Sequence, residues 1–197
     1  LEPIFFELFT EFGKDKVVSK TPFKRIKYKD SMIKYGTDKP DLRNPIEIVD
    51  VTSIMKREDV KLEIFKKLIK KGSIVRAIPA PNCGKKPRSF FDEFNNWAKE
   101  EGGKGLGYIV LEKQEGKLLG KGPIAKFFSS EALNDIIKKC NSKENDAIFF
   151  SCDTEKNVEK ILSLARQKLG KALNLINVNK FEFCWIVDFP MYQFNEE

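Results

Sequence analysis

Apolar positions along the chain recur at two spacings, helical and strand-like, and glycine or proline marks most of the changes. Ile4, Phe5, Leu8, Phe9 and Phe12 make a helical stripe stopped by Gly13. Lys14 to Lys24 reads as a polar connector. Asp30 or Ser31 is the expected cap of a short helix with Met32, Ile33 and Tyr35, ended by Gly36. Pro40 and Pro45 then make Thr37 to Pro45 a rigid extended connector. Ile46, Ile48 and Val49 predict a short strand. Val60, Leu62 and Ile64 predict another, running into one helical turn through Phe65, Leu68 and Ile69. Ile74 to Ile78 is a strand closed by Pro79 to Gly84. Ser89-Phe90-Phe91-Asp92 has the form of a capping box opening a helix, with Phe90, Phe91, Phe94, Trp97 and Ala98 on one face.

Gly102 to Gly107 turns that helix into Tyr108 to Leu111, an apolar run without alternation. It is expected to be a central strand with at least one face well covered. Ser130 starts a helix with Leu133, Ile136 and Ile137, and Ala147 to Phe150 is a further strand. Asp153 or Thr154 caps a helix carrying Val158, Ile161, Leu162, Ala165 and Leu169, which ends near Gly170. A last strand runs from Phe181 to Phe189 and is closed by Pro190. The middle of the chain therefore reads β-β-α-β-β-α-β-α. That order predicts an α+β fold, a two-layer sandwich of a mostly antiparallel sheet covered by amphipathic helices.

The glycines do not make a phosphate cradle. A dinucleotide fingerprint follows a strand and opens a helix. Here the helix comes first, and Gly103-x-Gly105-x-Gly107 has the wrong spacing. The aromatic stripe from Phe90 to Trp97 could stack bases, but its spacing suits a core face.

Composition narrows the chemistry. The 197 residues are 41% hydrophobic with 17 phenylalanines, enough apolar mass for a real core. With 33% charged residues and a mean hydropathy of −0.40, the chain reads as soluble and free of membrane spans. No secretory leader precedes Glu2, Glu7 and Glu11, so a cytoplasmic location is expected. The start at Leu1 within a helical pattern, and the end on Glu196-Glu197, read as the ends of a fragment. Cys83, Cys140, Cys152 and Cys184 are scattered and form no C-x-x-C pair, which predicts reduced thiols. Histidine is absent, which removes the commonest acid–base and metal chemistry. The net charge of +7 suits a polyanionic partner, although the lysines are widely spread. Asp38, Asp41 and Asp188 lie in unusual settings and are expected to fix turns or chain crossings. No catalytic, cofactor or metal residue emerges from this pattern.

Several stretches resemble signatures of bacterial-type aspartyl-tRNA synthetases. They are Tyr35-Gly36-Thr37-Asp38-Lys39-Pro40-Asp41-Leu42-Arg43, Lys104 to Ile109, Gly122 to Phe127, Ala147 to Phe150 and Trp185 to Met191, in the family's order. The resemblance implies a GAD domain inserted between the second and third motifs of a class II catalytic core. Residues 1–45 and 179–197 would then be flanking core remnants, and 46–178 the inserted domain. It also implies an aspartate–tRNA ligase using ATP and magnesium, with tRNA, the remaining core and a second subunit as partners. None of the family's catalytic motifs is present, so no cofactor is expected on this fragment. Lys39 and Arg43 are the candidate tRNA contacts, beside a hinge or packing role. Two alternatives are the related domain of a tRNA-dependent amidotransferase subunit and a stand-alone tRNA-binding module.

If the middle is an insertion, Leu1 to Tyr35 should pack with Phe181 to Phe194, apart from the main sheet. Phe183 to Val187 would then have lost most of its neighbours and present an unpaired edge.

Overall fold

The computed structural model describes residues 1–192. In chain order the elements are α1 (Glu2–Phe12), β1 (Val17–Val18), β2 (Lys24–Lys27), α2 (Tyr28–Tyr35), β3 (Val49–Asp50), α3 (Thr52–Met55), α4 (Glu63–Lys70) and β4 (Ile74–Ala80). They continue with α5 (Arg88–Glu100), β5 (Gly107–Gln114), β6 (Lys117–Lys121), α6 (Ser130–Lys139), β7 (Ala147–Asp153), α7 (Glu155–Ala172), β8 (Lys180–Phe181) and β9 (Cys184–Val187).

Five strands form the main sheet in the order β3-β4-β7-β5-β6, every neighbouring pair antiparallel. The central strand is β7, whose seven residues are all buried. The run Tyr108 to Leu111, expected at the centre, lies in β5 between β7 and β6. The reason is β6, which reads as a charged turn in sequence. It is an edge strand in which exposed Lys117, Leu119 and Lys121 alternate with half-buried Leu118 and Gly120, a pattern suited to an open edge.

Both faces of the sheet are covered. On one face Ile78, Tyr108 and Phe149 meet Phe91 and Phe94 of α5 and Val158, Ile161 and Leu162 of α7. On the other, Val75, Ile109, Ile148 and Phe150 meet Met55 of α3 and Leu133, Ile136 and Ile137 of α6. The α+β class holds, and the sheet is the middle of three layers rather than one of two. Strands without alternation require this, because each successive side chain needs an apolar neighbour on its own face. The aromatic stripe belongs to the core: the Phe91 ring stacks on Tyr108 at 4.3 Å, and Phe94 lies 5.5 Å from Phe149.

Local expectations fail where a polar side chain or a short element outweighs periodicity. Val60 makes a single bridge to Phe128, and the residues after Leu62 are helical rather than extended. That helix turns Phe65, Leu68 and Ile69 together onto the second core. The capping box is absent: α5 begins at Arg88 after Pro87, with no side-chain cap. Helix α2 starts at Tyr28, ahead of both expected caps, and Ser31 inside it donates to the Thr37 carbonyl at 2.7 Å. At α7, Thr154 holds the cap position, while Asp153 accepts from the Thr154 amide at 2.9 Å and from Asn157 at 2.7 Å. The strands β1 and β2 and the single turn α3 are too short for periodicity to reveal.

The last strand divides into β8 and β9, which pair in parallel with β1 and β2. Cys184 to Val187 is therefore paired along one edge with Lys24 to Lys27, and among the described residues its other edge has no strand neighbour, as expected of a strand that has lost most of its neighbours. It stays out of the main sheet, as expected. Helix α1 packs on this unit through Phe9, 4.8 Å from Phe181 and 4.9 Å from Phe183. Glu2 anchors it, accepting from the Phe23 amide at 2.8 Å and the Trp185 indole at 2.6 Å. Phe194 lies outside the described residues.

If both faces are true cores, truncation on either should be costly. Ile161→Ala and Ile136→Ala, one under each helical layer, should each lower stability by about 2–5 kcal/mol in urea unfolding. A near-neutral Ile136→Ala would show that the α6 face is not packed.

Candidate functional site

The segment carrying both sequence candidates leaves α2 at Gly36, whose φ is +68° and whose amide donates to the Met32 carbonyl at 3.1 Å. A Cβ at this position would meet the Glu159 carbonyl on α7, so only glycine serves. Beyond it, Asp38 takes the Lys39 ammonium on both carboxylate oxygens at 3.0 Å. Asp41 accepts from Arg43 Nε and Nη2, each at 2.8 Å, and from the Arg43 amide at 3.1 Å. The Arg43 side chain holds the Asp41 carboxyl below its ordinary pKa. Lys39 and Arg43 are thus each engaged by a neighbouring acid. Lys39 stays 84% exposed and Arg43 37%. They do not converge on a common site.

The residue that organises this connector is Arg166, on α7 and only 2% exposed. Its Nε donates to the Ile46 carbonyl at 2.6 Å, and Nη2 to the carbonyls of Asn44 at 2.6 Å and Asp41 at 2.8 Å. Asn44 reciprocates, donating through Nδ2 to the Arg166 carbonyl at 2.8 Å. The guanidinium lies 4.9 Å over the Tyr35 ring. Burial pulls the Arg166 pKa below its ordinary value. The same burial, with Glu47 beside the hydroxyl, pushes Tyr35 up to about 12. A signal existed in the sequence: Arg166 sits four residues after Leu162 and eight after Val158, inside the apolar stripe of α7.

Arg76 was equally unannounced. It is 1% exposed in the middle of β4, donating to Glu155 at 2.7 Å, to Glu159 at 3.1 Å and to the Met32 carbonyl of α2 at 3.3 Å. Among the described residues its Nε has no hydrogen-bond partner, with Asp50 at 4.0 Å. Burial raises the Glu159 pKa against the pull of Arg76. Together the two arginines fasten β4, α7, α2 and the connector to one another. The chain leaves and re-enters the flanking unit side by side, since the Asn177 amide donates to the Arg43 carbonyl at 3.2 Å.

Other groups are structural. Asp188, at φ +58°, pairs with Lys27 at 3.3 Å beside a cleft of about 390 Å³ lined in part by Tyr28, Thr37, Asp38 and Phe189. All four cysteines are free thiols, and burial raises Cys83 and Cys140 to about 12 and Cys152 to about 11, so none offers thiolate near neutrality. Among the described residues no group of three or more Cys, Asp or Glu is placed to hold a metal.

Replacing Arg166 by Met should strand the three carbonyls. We expect a loss of at least about 3 kcal/mol, from ~1–3 kcal/mol per orphaned buried group, and faster amide exchange at Ile46 and Asn177. Lysine should rescue only part, because it lacks the planar fork. The Tyr35 phenol should ionise near pH 12 rather than 10. A raised native pKa favours the neutral phenol in the fold, so its contribution to stability is complete below pH 10 and is lost as pH rises through 12. Phenolate absorbance of the wild type against Tyr35→Phe measures this.

Residues 65–162, from α4 into α7, match the family model of the GAD domain. Across its whole length the chain is 52% identical to an aspartate–tRNA(Asp/Asn) ligase of Methylocella silvestris, of which it covers 32%. Ligases of the same description from Beijerinckia indica and Pelagibacter ubique are 49% and 50% identical, with 33% of each covered. The chain thus spans about a third of the length of these curated relatives. With a GAD domain in the main sheet and this similarity from end to end, the chain belongs to the aspartate–tRNA ligase family, as the stretch that carries its GAD domain.

Proposed function

We propose that the chain is the non-catalytic insertion, with its flanks, of an ATP-dependent enzyme that joins aspartate to tRNA in the cytoplasm. Residues 46–178 form the inserted domain, and 1–45 with 179–197 belong to a class II catalytic core completed by the rest of the enzyme, which works as a homodimer. The names of the relatives extend the proposed substrates to both aspartate and asparagine tRNA.

The observation that carries this reading is the contrast between the two units. The inserted sheet is closed on both faces. The flanking unit is open: Leu1, which caps α1, and Ile4, Leu8 and Phe12 within it are 75%, 64%, 48% and 69% exposed. Such an apolar patch is the mark of an interface. Its strands form only two-stranded parallel pairs, an arrangement that is marginal in water and belongs inside larger sheets. Both features suit a surface covered by more of the same enzyme.

ATP and magnesium go with this activity, but the described residues do not fit them. There is no carboxylate cluster for the metal, and Gly102 to Gly107 leads from a helix into a strand rather than into a helix N-terminus. No chemical step is assigned to this chain. Within the connector, Arg43 fixes the turn through Asp41. Lys39, the more exposed of the two, is the better contact for a tRNA phosphate.

The chain alone should therefore show no aspartate-dependent pyrophosphate exchange above a contaminant control. Detectable exchange would refute the assignment of chemistry to the remainder. Its binding to tRNA should be weak and salt-dependent, with a log–log slope shallower than about −4, since few phosphates are neutralised at once. Tight binding selective for aspartate tRNA at physiological salt would contradict the appendage role.

A further inference from the structure

Lys39 and Arg43 spend their charge on neighbouring acids, which raises the question of where the chain presents cations that are free. Ion pairs occupy several other lysines, among them Lys27, Lys34, Lys104, Lys121 and Lys180. A different corner of the molecule is unlike these. Between α3 and α4 runs a groove of about 280 Å³ lined by Lys56, Lys66, Ile69 and Lys70. None of the three lysines has an ion-pair partner among the described residues. Of the acids nearest in sequence and fold, Asp59, Glu131 and Asp135 converge on Arg57, at 2.8, 3.3 and 2.7 Å, while Glu58 is exposed and pairs with none of the three lysines. Glu63 lies at the opposite end of α4, two turns from Lys70, where it complements the helix N-terminus.

The arrangement is not needed to hold α4 in place. That helix is fixed by Phe65, Leu68 and Ile69 against the second core. Lys66 and Lys70 stand one turn apart on one side of it, Lys67 and Lys71 beside them, and like charges at this spacing repel. Lys56 closes α3 and faces them across the groove. Three unpaired ammonium groups thus surround Ile69, the apolar floor of the groove. A groove suits a single curved strand of phosphodiester, with phosphates on the lysines and a sugar edge on the isoleucine. A flat array of lipid headgroups would suit a flat face.

We propose that this groove docks the phosphate backbone of RNA, on the face of the sheet opposite α7 and the connector. The proposal rests on the reading of the chain as part of a tRNA-charging enzyme, for the identity of the polyanion. The test uses the full chain and a fluorescein-labelled tRNA transcript, titrated at several salt concentrations. Lys66→Glu/Lys70→Glu should weaken binding at least tenfold. Lys66→Gln/Lys70→Gln should reduce the salt slope by about 1.4 to 1.8, from two phosphates at ~0.7–0.9 each. The charge-matched control Lys113→Glu/Lys117→Glu, on the exposed β5–β6 turn, should change affinity less than twofold. Circular dichroism and urea midpoints establish that each variant is folded. Equal losses in groove and control variants would overturn the groove while leaving RNA binding by diffuse charge. No RNA binding by the wild type at low salt would overturn both the groove and a tRNA-facing role. Tighter binding to phosphatidylserine vesicles than to RNA at equal salt would assign the face to a membrane surface and overturn the proposal.

Discussion

A buried guanidinium without a carboxylate in hydrogen-bond contact governs the centre of this structure. Arg166 gives its hydrogen bonds to backbone carbonyls of Asp41, Asn44 and Ile46, in a connector that has no strand or helix to satisfy them. Burying the charge is unfavourable, as its lowered pKa records. Three carbonyl dipoles and the Tyr35 ring offset that cost. The consequence is topological. The connector is laced to α7, and its Arg43 carbonyl receives the amide of Asn177 on the returning chain. Both crossings between the two units are held at one place.

Arg76 repeats the device one layer away. Sitting in β4, it reaches Glu155 and Glu159 on α7 and the last turn of α2 through the Met32 carbonyl. With Gly36 letting α2 and α7 approach closely, this makes α7 the common support of the sheet, the connector and the flanking helix. A sheet attached this way is held to the connector rather than hung from it. The rigidity of the attachment follows from few residues, each hard to replace.

Charge is distributed by the same logic. The net +7 says little until pairing is taken into account. Arg76 and Arg166 are interior, Arg57 is surrounded by acids, and Lys39 and Arg43 are each held by a neighbouring carboxylate. Among the lysines in no ion pair of the described residues, Lys56, Lys66 and Lys70 are drawn together at the groove between α3 and α4. Exposed apolar surface gathers on α1. The two open surfaces therefore invite different partners, a polyanion and a protein face.

The sequence alone determined the α+β class, the interior character of β5, the existence of β7 as a strand, the core role of the aromatic stripe and the helix stop at Gly36. Each rests on local spacing or on one residue's backbone freedom, and both are written in neighbouring positions. The same holds for the ordered motifs from Tyr35 to Met191, whose resemblance to the family lies in the sequence alone. Tertiary structure decided the rest. Covering the sheet on both faces depends on which helix folds to which side. The pairing of Cys184 to Val187 with Lys24 to Lys27 joins segments about 160 residues apart, across two strands too short to show a period. Arg166 and Arg76 resemble ordinary surface cations in composition, and only their burial against distant carbonyls and acids shows what they hold. Local periodicity reports which side of an element is apolar. Which carbonyl a buried arginine meets is settled by chain closure over 120 residues or more, from Arg166 to Ile46, Asn44 and Asp41.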